Sequence, residues 1–122
     1  MRKKVLLVDD SSTILLMEKM VLKKTPYEVV TASNGEEAVQ RALQEHPDII
    51  LMDVIMPKMG GFEALRRLRQ EEATRNTPVI MVTTRGEAEN VEQGYTSGCS
   101  DYITKPIDTM ELLAKLRNHL EN

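Results

Sequence analysis

Three short apolar runs, Val5-Leu6-Leu7-Val8, Ile49-Ile50-Leu51-Met52 and Val79-Ile80-Met81-Val82, carry no polar alternation. Strands buried on both faces read this way, because helices cover a parallel sheet above and below. Tyr27 to Ala32 and Asp101 to Thr104 are weaker strand candidates, expected nearer the sheet edges. Between these runs the apolar spacing switches to the helical period. Ile14, Met17 and Val21 mark a helix that Ser11 or Ser12 caps, with Lys23 and Lys24 at its C-terminal end and Pro26 as its stop. Ser33 with Glu36 reads as a capping-box pair opening a second helix that carries Ala38, Val39, Ala42 and Leu43. Phe62, Leu65 and Leu68 mark a third helix after Gly60-Gly61, and Ala88, Val91 and Tyr95 a fourth that ends near Gly98. Asp108 caps a fifth, with Leu112, Leu113, Leu116 and Leu120 inward. Strand and helix thus alternate five times, which predicts an α/β, doubly wound domain with a five-stranded parallel sheet and five helices.

The 122 residues suit one domain, expected over 1–122, with 41% hydrophobic and 29% charged residues. The net charge of −3 argues against sequence-independent nucleic-acid binding, which needs a basic footprint. Short basic runs such as Arg66-Arg67-Leu68-Arg69 read as the solvated face or C-terminal end of a helix. A single cysteine, Cys99, permits no intrachain disulfide and reads as a small packing residue. The apolar residues before Asp9 are too few for a signal peptide, and no run approaches membrane-spanning length, so the expected compartment is the cytoplasm. The chain stops after the fifth predicted helix, so no output domain is expected within it.

Composition alone says nothing of chemistry; the strand ends do. Asp9 and Asp10 follow the first apolar run, Asp53 the second, Thr83 the third, and Lys105 the last strand. In open α/β sheets, ligands sit beyond the carboxyl ends of the strands. Parallel strands put these residues on one rim, where three carboxylates repel unless something positive joins them. Lys105 supplies one charge. The remaining candidate ligands are all hard oxygens, which favours Mg2+ over zinc. A carboxylate beside Mg2+, a lysine and a hydroxyl makes a phosphoryl acceptor.

Leu7-Val8-Asp9-Asp10-Ser11, Met52-Asp53-Val54-Ile55-Met56-Pro57-Lys58-Met59-Gly60-Gly61 and Asp101-Tyr102-Ile103-Thr104-Lys105-Pro106 resemble the signature stretches of response-regulator receiver domains of two-component signalling. The layout is similar to that of stand-alone chemotaxis receivers. The resemblance covers essentially the whole chain and implies a flavodoxin-like fold with strand order 2-1-3-4-5. It implies that Asp53 is phosphorylated by a histidine kinase or phosphotransfer protein, or by a small donor such as acetyl phosphate. Asp10 and Asp53 would bind Mg2+, with Asp9 acting partly through water and the Ile55 carbonyl as a backbone ligand. Thr83 would be the switch hydroxyl, Lys105 the partner of the phosphoryl group, Tyr102 the aromatic switch, and Lys105-Pro106 a cis peptide. A downstream protein would read the face of the fourth predicted helix, fifth strand and last helix, the protein being a monomer or a phosphorylation-dependent dimer. No direct nucleic-acid or membrane partner is implied. Ile55 and Arg85 would flank the path of the hydrolytic water, which implies a long-lived phosphorylated state.

Three rivals were weighed. Asp9 and Asp10 stand where an FMN carrier on this fold needs a phosphate-binding loop, and aromatics are only 3%. An aspartyl phosphohydrolase wants a second acid two residues after its nucleophile, where this chain has Ile55. The remaining alternative is a pseudo-receiver, a phosphorylation-independent interaction module; its mark would be a missing acceptor part, and none is missing.

Overall fold

Five parallel strands form one sheet in the order β2-β1-β3-β4-β5 in the computed structural model, which describes residues 2–84 and 98–121. The elements are β1 (Lys4–Val8), α1 (Ser12–Leu22), β2 (Glu28–Ala32), α2 (Gly35–Glu45), β3 (Ile49–Asp53), α3 (Gly61–Gln70), β4 (Val79–Thr84), β5 (Asp101–Lys105) and α4 (Thr109–Leu120). Four helices therefore lie among the described residues. The helix expected at Ala88, Val91 and Tyr95, and also Arg85, lie outside them. Among the described residues no helix is long and apolar enough to cross a membrane.

The unalternating apolar runs are buried on both faces, as a two-sided sheet requires. Successive residues point to opposite sides. Val5, Leu7, Ile49, Leu51, Ile80, Val82 and Ile103 join Leu22, Leu112, Leu116 and Leu120 in the layer under α1 and α4. Leu6, Val8, Ile50, Met52 and Met81 join Ala38, Val39, Phe62, Leu65 and Leu68 in the layer under α2 and α3. The two weaker candidates, β2 and β5, are the edge strands. Met52, Met56, Met59 and Met81 are all buried packing residues.

Two helix readings shift in detail. Ser11 caps α1, its hydroxyl accepting from the Ile14 amide. Yet the inward face of α1 carries Glu18 and Leu22, while Met17 is 58% exposed. Counting four and eight residues from Ile14 leads through Glu18 to Leu22, so an acid occupies the middle of the apolar stripe. At α2 the cap is Asn34, one residue later than expected. Its Oδ1 accepts from the Glu37 amide, and Glu37 reaches back to the Ser33 amide at 2.8 Å. The reciprocal logic of the capping box holds, with Glu37 rather than Glu36 as its acid. Asp108 caps α4 as expected, accepting from Met110 and Glu111.

The basic run in α3 is also mixed. Arg66 and Arg67 are exposed, but Arg69 is half-buried and structural. Its Nε donates to the Gly98 carbonyl at 2.9 Å, and its Nη1 to the carbonyls of Thr74 and Thr77 at 3.1 and 2.7 Å.

The loop after β3 is anchored by two close approaches. The Gly61 amide donates to the Val54 carbonyl at 2.7 Å, and the Gly35 amide to the Met59 carbonyl at 3.0 Å. A Cβ on Gly61 would lie 2.2 Å from the Asp53 carbonyl oxygen and 2.8 Å from Met81 Cε. Backbone cannot give way as a side-chain tip can. Gly61→Ala should therefore destabilise the domain by about 1–3 kcal/mol, the usual cost of overpacking. Urea unfolding checks this; an unchanged midpoint would show that α3 can slide away from β3.

Candidate functional site

Register alone gathers the rim. Val8 pairs with Met52, so Asp9 and Asp53 emerge at the same level; Asp53 pairs with Val82, one residue before Thr83; Thr84 pairs with Lys105. The order β1-β3-β4-β5 places Asp9, Asp53, Thr83 and Lys105 on four adjacent strand ends. Asp9, Asp53 and Thr83 are buried, at 2%, 8% and 2% exposure, and Asp10 is exposed.

Lys105 Nζ lies 3.2 Å from Asp53 Oδ1 and 3.5 Å from Asp9 Oδ2. The Val54 amide also donates to Asp53 Oδ1, at 3.0 Å. Among the described residues, both of these contacts fall on Oδ1 and none on Oδ2. Asp9 has a second, structural duty: its Oδ1 accepts from the Ser11 amide at 2.9 Å, tying the acid to the start of α1. Burial and the neighbouring Asp9 hold the Asp53 carboxyl above its usual range, against the pull of Lys105 and the Val54 amide. Burial presses the Lys105 ammonium down, but Asp53 and Asp9 outweigh it and hold it above its ordinary value.

Carboxylate oxygens of Asp9, Asp10 and Asp53 lie within 4.8 Å of one another, close enough for one cation to bridge them. The donor set is all oxygen, which suits a small hard cation such as Mg2+. The Lys105-Pro106 peptide is cis. Ile55 is 67% exposed beside the rim. Lys58 takes φ 67° where the Met59 amide turns back to the Pro57 carbonyl. Tyr102 is half-buried on the edge strand, and Lys115 lies over its ring at 5.3 Å while donating to its carbonyl and to Asp101.

The sequence reading missed Glu18. It is 5% exposed, and its Oε1 is buried without a hydrogen-bond partner among the described residues. Its one signal in the sequence is an acid four residues after Ile14, on the face that the apolar stripe requires.

A doubly wound sheet with this order, carrying an acid cluster and one bridging lysine at its carboxyl rim, defines the flavodoxin-like receiver class. The chain belongs to the response regulator receiver domain family, whose family model matches residues 5–117. PilH of Pseudomonas aeruginosa is 41% identical over 110 residues, which cover 90% of this chain and 91% of PilH. The solved structure of the chemotaxis protein CheY4 of Vibrio cholerae matches with a TM-score of 0.92 at 37% identity, over 98% of this chain and 100% of that one. The receiver domain of the sensor histidine kinase PA1611 of Pseudomonas aeruginosa, solved with a magnesium ion in its active-site cleft, gives 0.92 at 29% identity, over 100% of both chains. The chain spans about half the length of several curated relatives that it matches, 48% and 47% of two transcriptional regulators. It is a receiver domain of two-component signalling. Receiver domains take phosphoryl groups from histidine kinases and act on downstream targets.

Burial raises the Glu18 carboxyl from 4.5 to about 8, with Asp9 and Asp53 adding to the rise and Lys105 opposing it. The unfolded chain releases this proton near 4.5, whereas the folded chain keeps it until about 8. Stability is therefore fully present below the lower value and falls as pH rises through that window, the reverse of the usual carboxylate. Glu18→Leu removes the loss. Urea unfolding should show the variant stabilised by up to a few kcal/mol at about pH 8, and by less at about pH 5. A gap that does not widen with pH would contradict the raised carboxyl.

Proposed function

We propose that residues 1–122 form a single receiver domain in which Asp53 accepts the phosphoryl group. The observation that carries this reading is the placement of Asp53 Oδ2. Among the described residues, Lys105 and the Val54 amide both engage Oδ1, which leaves Oδ2 as the oxygen for attack on phosphorus. Attack forms the oxygen–phosphorus bond of an acyl phosphate and breaks the bond to the donor, a phosphohistidine nitrogen or the acetate oxygen of acetyl phosphate.

Asp10 and Asp53, with Asp9 partly through water and the Ile55 carbonyl as a backbone ligand, would hold Mg2+. When bound, this ion supplies charge stabilisation to the phosphoryl oxygens. The acid spacing and the all-oxygen donor set support that assignment. Lys105 already stands against Asp53 and brings a second positive charge to the same oxygens without rearrangement. Thr83, buried one residue past the level of Asp53, serves as the hydroxyl donor to the added group. Its inward shift frees space for the half-buried Tyr102, the second switch residue. The two residues bias the face of β5 and α4 between two states that a downstream protein reads, the fourth predicted helix of that face lying outside the described residues. Every part of the acceptor rim is present, which favours this reading over a phosphorylation-independent module. The protein acts in the cytoplasm, as a monomer or as a dimer formed on phosphorylation.

Intact mass after incubation with acetyl phosphate and Mg2+ tests the acceptor. A single phosphoryl adduct should form, should require Mg2+, and should vanish in Asp53→Asn. An adduct that persists in Asp53→Asn would move the site elsewhere. Lys105→Ala should slow adduct formation on the order of a hundredfold, the usual loss for one positioned charge donor. The exposed Ile55 side chain stands two residues past the acceptor, where it shields the acyl phosphate from water. Ile55→Asn should therefore shorten the phosphorylated lifetime, followed by loss of the adduct over time; an equal or longer lifetime would remove that role.

A further inference from the structure

Between α1 and the segment from Lys105 to Leu112 lies a pocket of about 420 Å3. That volume falls within the range of small-molecule sites, about 300–1,000 Å3. Ile14, Val21, Ile107 and Leu112 form its apolar walls, and Glu18 and Lys105 also line it. Glu18 is the anomaly. It is 95% buried, since its exposure is 5%, and its Oε1 meets no donor. A buried carboxyl oxygen without a donor costs stability, so the position is unfavourable for the fold on its own. Lys105 opposes the rise of the Glu18 carboxyl only through its charge, since its ion pairs go to Asp53 and Asp9, at 3.2 and 3.5 Å.

We propose that this pocket is a ligand site for a small organic cation, an amine or amidine on an apolar body, whose charged head donates to Glu18. Charge complementarity sets the sign. Beside the pocket, the three rim aspartates outnumber Lys105 and leave two negative charges even with Glu18 protonated, so an added positive charge is favoured and an anion is repelled. The walls set the body. A lone water needs two to four polar partners, and the walls around Glu18 are chiefly aliphatic. An occupant that brings its own apolar surface fills the space and satisfies the carboxyl together. Burial and the charges of Asp9 and Asp53 all disfavour the ionised form of Glu18 in the empty pocket, and a cationic head offsets all three. The ligand would sit against Lys105, so its occupancy would be felt at the acceptor rim. This site is separate from the reading of Asp53 as phosphoacceptor and does not depend on it.

Benzylamine is the probe, with benzyl alcohol as its uncharged counterpart. Amide shifts of the full chain are followed by nuclear magnetic resonance during titration with each. Benzylamine should bind with a Kd on the order of millimolar and shift amides of α1 and of the Ile107–Leu112 segment. Benzyl alcohol should bind more weakly, and Glu18→Gln should lose about tenfold or more in benzylamine affinity. Glu18→Leu extends the apolar stripe and supplies a folded comparison should the glutamine variant fold poorly; it too should lose the amine. Three outcomes would each overturn the site: no shifts at about 10 mM benzylamine, equal affinity in both Glu18 variants, or shifts centred on Asp9, Asp10 and Asp53, which would mark simple counter-ion binding at the rim.

Discussion

The Lys105 ammonium, held between Asp9 and Asp53, is the interaction on which the upper rim of this sheet depends. Parallel register delivers two buried carboxylates to one level, and nothing in the strands themselves can part them. At an effective dielectric of about 20, a contact of this length is worth about 4–5 kcal/mol. Two such attractions outweigh the single Asp9–Asp53 repulsion of similar size. They do not neutralise the rim: three aspartates less one lysine leave two negative charges. The same lysine thus permits the acids to be buried and leaves the rim short of positive charge. That shortage suits the rim to an added positive charge.

Much of this was legible because strand burial and strand ends are both encoded locally. Runs such as Ile49 to Met52, short and flanked by turn and helix signals, read as two-sided strands, and the residue after each run then stands at a sheet end. Asp9, Asp53, Thr83 and Lys105 needed no further knowledge to be brought together. What escaped the reading depended on exact rotation or on distant partners. Met17 and Glu18 differ by one helical step, about a quarter turn, and chemistry favours the methionine as the inward residue. The fold places the acid there instead. The cap of α2 slipped by one residue for a similar reason, since Asn34 and Ser33 are both competent caps and both have an acid three residues on. Arg69 read as surface because its acceptors are carbonyls, which carry no side-chain signature.

The glycines that meet the loop after β3 show how a loop can be positioned by what it lacks. Gly61 and Gly35 let two helix starts press against the backbone that leaves Asp53. The Asp53 backbone therefore sits between a strand on one side and a helix start on the other, with the loop from Val54 to Gly60 leading away from it. Precision at Asp53 comes from backbone contact, while variation in side chain is left to exposed positions such as Ile55.

Arg69 joins pieces of chain that are far apart in sequence. One guanidinium on α3 holds the carbonyls of Thr74, Thr77 and Gly98, at the approaches to both β4 and β5. Releasing any one of these strands leaves carbonyls or the guanidinium itself without a partner in a half-buried setting. Fraying at this edge should therefore be cooperative, with α3, β4 and β5 opening together and hydrogen exchange across them following a shared free energy rather than each strand's own.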